Sequence, residues 1–123
     1  MKLTKNFNLI EFQSKDGAKM PPEVLNNIIE LAQNLQVIRN EAKCPLHINS
    51  AYRSPAHNER IGGVKNSKHT LGLASDLTSR NHKPKQLYKL IECLINDGKI
   101  RQGGLSSYPS FVHYDIRGVK ARW

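Results

Sequence analysis

The sequence predicts one small α+β domain, and three observations predict it. Two stretches, opening at Pro21-Pro22 and at Pro84, repeat apolar residues at helical spacing. Three short stretches, 45–53, 73–77 and 111–116, carry the apolar patterning of strands. The length of 123 residues and a hydrophobic fraction of 38% are enough for a single core.

Residues 1–20 read as an extended arm, with Phe7, Leu9, Ile10 and Phe12 covering one side of the core and a turn at Asp16-Gly17. Pro21-Pro22-Glu23 opens the first helix, since proline is tolerated in a first turn and Glu23 complements the helix dipole. Val24, Ile28, Leu31, Leu35 and Ile38 then form one stripe, ending near Ala42-Lys43. Residues 45–53 read as a strand with Leu46 and Ile48 on one face. Ser54 as N-cap and Pro55 as first helical residue start a short helix, which Ile61-Gly62-Gly63-Val64 breaks. A polar loop, 65–67, leads into a strand at 73–77, and a polar connection follows at 78–83. From Pro84 a second helix carries Leu87, Leu90, Ile91 and Leu94 in its stripe, and Asp97-Gly98 stops it. Residues 100–105 are a weaker strand because of Gly103-Gly104, which close backbone packing near a site would explain. Residues 106–109 read as a loop, 111–116 as a strand and 119–123 as a basic tail.

The chemistry concentrates in Ser67-Lys68-His69-Thr70-Leu71-Gly72-Leu73-Ala74-Ser75-Asp76 and in His113-Tyr114-Asp115. His69, Asp76 and His113 read as three ligands of one zinc ion. Two imidazoles and a carboxylate suit zinc, and three protein ligands leave a fourth position for water or substrate, the form of a catalytic site. His69 and Asp76 are seven positions apart, too far for the single helical face of an H-E-x-x-H motif. Gly72 permits a bend between them. On the last strand His113 and Asp115 share a face, because side chains alternate with period two.

The formal charge of +9 predicts attraction to polyanions such as an anionic bacterial cell wall. The basic residues are scattered and aromatics are few, so no specific nucleic-acid platform is expected. Neither Cys44 nor Cys93 lies in a C-x-x-C motif. Cys93 falls on the apolar side of the second helix, where it packs as a small hydrophobe. No signal peptide and no membrane-spanning run are visible, so the protein is expected to be cytoplasmic as made, or phage-encoded and acting at the wall. A monomer is expected.

With Tyr52-Arg53-Ser54-Pro55, the S-x-H-x-x-G-x-A-x-D run of residues 67–76 and His113-x-Asp115 all in view, the chain resembles the zinc D-alanyl-D-alanine carboxypeptidases and related peptidoglycan peptidases. That group includes vancomycin-resistance dipeptidases and phage endolysins, and its fold is shared with the Hedgehog signalling domain. The resemblance runs from about Phe7 to Gly118. It implies an antiparallel sheet carrying the zinc site, with helices packed on the other side. It implies His69, Asp76 and His113 as ligands. It implies that Arg53 faces the site, to hold a substrate carboxylate or a developing oxyanion, and that Ser67 supports a ligand or bonds the substrate. Many members carry an acidic general base three residues before the last ligand; Ser110 stands there in this chain. Asp115 is then either the base or a group that orients a ligand.

The function expected is a zinc peptidase acting on peptidoglycan stem or cross-bridge peptides. The alternative is a non-catalytic zinc-binding module of a phage particle.

Overall fold

The computed structural model describes residues 1–123 and has three helices against a five-stranded sheet. The helices are α1 (Pro22–Ala42), α2 (Pro55–Arg60) and α3 (Pro84–Asn96). The strands are β1 (Leu46–Ser50), β2 (Ala74–Ser79), β3 (Gly104–Ser107), β4 (Val112–Asp115) and β5 (Ala121–Arg122), in the order β1-β2-β4-β3-β5. Every pairing is antiparallel except β3 with β5, which is parallel. The α+β class is as the sequence predicts.

Each helix has proline in its first turn, where the missing N–H is no loss. α1 buries Val24, Ile28, Leu31, Ala32, Leu35 and Ile38, and ends on Lys43 in the left-handed conformation, φ 57°. α3 buries Leu87, Ile91, Leu94 and Ile95 and touches α1 and strands β2, β3 and β4. Burying a large aliphatic side chain such as Leu31 contributes about 1.5–3 kcal/mol.

The register sorts the sheet into two faces. Leu77, Val112, Tyr114 and Leu105 are fully buried in the helix-covered core. Asp76 pairs with His113, and His113 with Ser106, so these side chains share the opposite face. Asp115, two residues on from His113, lies on it as well. Between Ile48 and Ser50 the register of β1 shifts, which sets Ser50 opposite Asp76.

Several expectations are corrected. The N-terminal segment is not fully extended: Leu9–Phe12 forms a 3-10 turn, and Ile10 is 73% exposed while Phe7 and Phe12 are buried. Cys93 is exposed on α3 and Cys44 is the buried cysteine, because the stripe of α3 turns on Leu87, Ile91 and Leu94 and leaves 93 outside it. The third strand begins at Gly104 and runs to Ser107, taking in residues read as a loop. The basic tail contains β5, held by Arg122, which makes two bonds to Glu92 of α3 at 2.7 and 2.8 Å. No helix is long and apolar enough to cross a membrane.

Candidate metal centre

His69 stands on a 3-10 turn, Lys68–Leu71. Ser67 caps that turn, its Oγ accepting from His69 N at 3.2 Å. Gly72 ends it at φ 75°, packed so close to α1 that a Cβ would meet Val24 Cγ1 at 2.8 Å and Val24 O at 2.9 Å. Asn27 of α1 also donates to Leu71 O at 2.9 Å. The bend that returns the chain to Asp76 is therefore clamped onto the first helix. Glycine is required there for both the positive φ and the contact.

The three predicted ligands meet. His69 Nε2 lies 3.2 Å from Asp76 Oδ1, and His113 Nδ1 lies 3.3 Å from the same oxygen. All three residues are buried, and their donor atoms lie within 4.8 Å of one another. Spacings near 3.3 Å match the edge of a tetrahedron with metal–ligand bonds of about 2.0–2.1 Å. The donor set is thus compatible with zinc.

The second nitrogen of each ring fixes its tautomer. His69 Nδ1 lies 2.7 Å from Ala51 O, and a carbonyl can only accept, so Nδ1 carries the proton and Nε2 keeps its lone pair. His113 Nε2 lies 2.7 Å from Asp115 Oδ2, which leaves the Nδ1 lone pair toward the cluster. Asp76 is aimed in the same way. Its Oδ2 accepts from Arg53 Nη2 at 3.2 Å, so Oδ1 is the oxygen presented between the imidazoles.

Electrostatics follow from this packing. Burial opposes a charge on Asp76, but with no metal bound the His113 and His69 rings, when protonated on the nitrogens that face it, outweigh that and hold the carboxyl well below its usual range. Burial likewise opposes charge on Asp115, and bonds from His113 and Arg117 again win. For His113, burial disfavours the imidazolium, while the Asp115 and Asp76 carboxylates more than offset it and raise its pKa.

The cluster lies in a hollow of about 490 Å³. Arg53, Ser67, Lys68, Tyr108, Phe111 and Trp123 are among the residues that line it. Tyr108 and Phe111 stack with centroids 4.6 Å apart.

A family model described as peptidase M15 matches residues 2–115. The chain belongs to the peptidase M15 family. No curated protein matches the sequence. Membership agrees with the resemblance to the zinc D-Ala-D-Ala carboxypeptidases read from the motifs, and M15 peptidases are metal-dependent.

Within this M15 chain, Arg53 lines the hollow and is fixed by Ser50 Oγ, Asn58 Oδ1 and Asp76 Oδ2, at 3.1, 3.3 and 3.2 Å. A guanidinium has five N–H groups, so two remain for a ligand. Ser67 uses its oxygen on the His69 backbone and still has its own proton to donate. Ser110 is exposed and faces a different hollow. Tyr114 is core, its hydroxyl donating to Arg101 O at 2.6 Å. His57 belongs to the start of α2, its backbone N–H capped by Ser54 at 3.1 Å.

Asp115 is fully buried beneath His113 and does not line the hollow. Its Oδ1 accepts from Gly104 N, Arg117 N and Arg117 Nε; its Oδ2 accepts from His113 Nε2 and Arg117 Nη2. A Cβ at Gly104 would collide with Oδ2, and one at Gly103 with the Asp115 carbonyl. This close approach is why both positions are glycine.

Sequence reasoning missed Arg117, Asn58, Ala51 and Trp123. Arg117 was within reach: it continues the period-two series His113, Asp115, Arg117. The Ala51 carbonyl and Trp123 act across long sequence separations and carry no local signal, whereas Asn58 lies only five positions from Arg53, on the short helix that Ser54-Pro55 opens.

Proposed function

We propose that this chain is a zinc-dependent peptidase that hydrolyses peptidoglycan stem or cross-bridge peptides, as a D-Ala-D-Ala carboxypeptidase or an endopeptidase. His69, Asp76 and His113 hold the metal through Nε2, Oδ1 and Nδ1. The observation that carries the reading is the convergence of those three atoms in a hollow of about 490 Å³ of an M15 chain, each aimed by a hydrogen bond on its far side.

When bound, zinc supplies Lewis acidity toward a carbonyl and makes water a stronger acid. The chain does the rest. Ala51 O and Asp115 hold the two rings at the correct tautomer and orientation. Arg53 holds Asp76 through one N–H and offers the two remaining ones to a substrate carboxylate or to the oxygen that becomes negative as the carbonyl is attacked. Ser67, which also lines the hollow, donates to the peptide backbone. Asp115 acts as the orienting group of the two roles open to it, since all its lone-pair directions are taken and His113 lies between it and the hollow. The protein is drawn to the anionic wall by its net charge of +9, and it works as a monomer.

A second reading, a non-catalytic zinc-binding module of a phage particle, is favoured by one observation. Asp76 is the only carboxylate lining the hollow, and it is already committed to the cluster. One experiment separates the two. Purified peptidoglycan is digested with the protein, with its His69→Ala variant and with chelator-treated protein, and the products are weighed by mass spectrometry. Release of peptide or D-alanine by the untreated protein alone supports the peptidase. Zinc bound without any product supports the module.

A further inference from the structure

Trp123 is 57% exposed, yet it is tightly restrained. Its indole N–H donates to Tyr108 Oη at 2.8 Å, and its carbonyl accepts from Ser106 Oγ at 2.7 Å. Arg117 lies over the ring, 5.4 Å from its centroid. The neighbouring Arg122 anchors the strand to Glu92 and donates to Gly103 O at 2.6 Å. Ordering a side chain in water costs rotamer freedom, and burial contributes little to offset it here. Rigid, exposed aromatics of this kind are what binding surfaces use as anchors.

The position of the ring points the same way. Trp123 is the wall shared by two hollows. On one side is the His69–Asp76–His113 cluster, with the His113 ring centroid 5.0 Å away. On the other is a hollow of about 350 Å³ lined by Lys85, Tyr88, Lys89 and Ser107. Lys85 and Lys89 are one helical turn apart on α3, both are exposed, and neither is in an ion pair. No Asp or Glu side chain lines this second hollow, and its two lysines are the charged side chains there.

We propose that Trp123 is a substrate-contacting residue over which the cleft continues into the α3 hollow, and that Lys85 and Lys89 there take a carboxylate carried by the substrate beyond its scissile bond. The assignment rests on the peptidase reading and narrows its substrate class to an acidic peptide that extends past the metal centre.

Trp123 is the only tryptophan of the chain, so its emission reports on this position alone. The probes are a stem peptide with free side-chain carboxylates and the same peptide with those groups amidated. They are titrated into chelator-treated and metal-loaded protein. The acidic peptide changes the emission saturably and binds roughly threefold or more tighter than its amidated twin. The double variant Lys85→Gln, Lys89→Gln, altered only at exposed positions, loses that preference. In turnover, Trp123→Ala raises KM roughly three- to tenfold and lowers kcat by much less. Emission that stays unmoved at saturating peptide, or an acidic preference that survives in the double variant, overturns the assignment. The two readings fail separately. An emission response without cleavage of any peptidoglycan removes the peptidase and keeps the subsite; cleavage with a silent Trp123 does the reverse.

Discussion

Replacing Asp115 with asparagine changes one atom and tests how the metal centre is held. The five groups around the carboxylate, Gly104 N, Arg117 N, Arg117 Nε, Arg117 Nη2 and His113 Nε2, are all donors at 2.7–3.1 Å. An amide in either orientation therefore sets N–H against N–H. It also leaves the Arg117 guanidinium beside a neutral partner. Removing one member of a buried charged pair costs about 3–5 kcal/mol. Arg117 is 23% exposed, so water recovers part of the loss, and the expected destabilisation is about 2–3 kcal/mol. If the amide N–H faces His113 Nε2, the ring gains from moving its proton to Nδ1, the atom the metal needs bare. Loss of such an orienting partner lowers metal affinity roughly 10–100-fold. The assay is zinc competition against a chromophoric chelator, run beside a thermal melt of the metal-free protein. Zinc affinity within about twofold of the parent protein, less than the span expected for such partners, would show that Asp115 does not orient His113.

Four further outcomes are expected. Gly104→Ala pushes a Cβ into Asp115 Oδ2 and lowers both melting temperature and zinc affinity, as read in the same two assays. Arg53→Ala lowers kcat/KM roughly 100-fold, and Arg53→Lys restores little of it, because a point ammonium cannot span Asn58, Asp76 and a substrate oxygen together; steady-state kinetics on a stem peptide check both. Chelation abolishes turnover and lowers the melting temperature, and added zinc restores both, as ligand binding to the folded state alone requires. The pH dependence of the metal-free protein has two limbs. The raised pKa of His113 gives stability that is complete below its ordinary value of 6.5 and is lost as pH rises through the folded value. The depressed Asp76 and Asp115 give stability present above about 4 and lost as pH falls toward their folded values. Melting temperature should therefore be greatest between those limbs, and adding zinc should hold the upper limb up.

Much of the fold was legible because its signals are local. Prolines at 22, 55 and 84 each open a helix, and the Val24-to-Ile38 stripe is the buried face of α1. His113 and Asp115 share a sheet face because strand side chains alternate. Where reading failed, a long-range partner had decided the outcome. Residues 121–122 look like a basic tail until Arg122 finds Glu92, thirty positions away, and joins the sheet. Residues 106–107 look like a loop until β4 pairs with them.

The candidate site divides along the same line. The sequence alone determined which atoms are suited to a divalent metal, two imidazoles and a carboxylate in a motif tight enough to suggest the peptidase class, because donor chemistry belongs to the residue itself. It also marked Gly72 as a bend and Gly103-Gly104 as a place of close approach. Only the tertiary structure decided which nitrogen of each ring faces the cluster. That depends on the Ala51 carbonyl behind His69 and on the Asp115 carboxylate, itself held by Arg117, behind His113. The same is true of the cleft walls, where Trp123 reaches His113 only because β5 lies beside β3. A tautomer and a cleft are set by neighbours in space; Asp115 and Arg117 lie near His113 in sequence, but folding brings Ala51 to His69 and Gly104 to Asp115 from more distant parts of the chain.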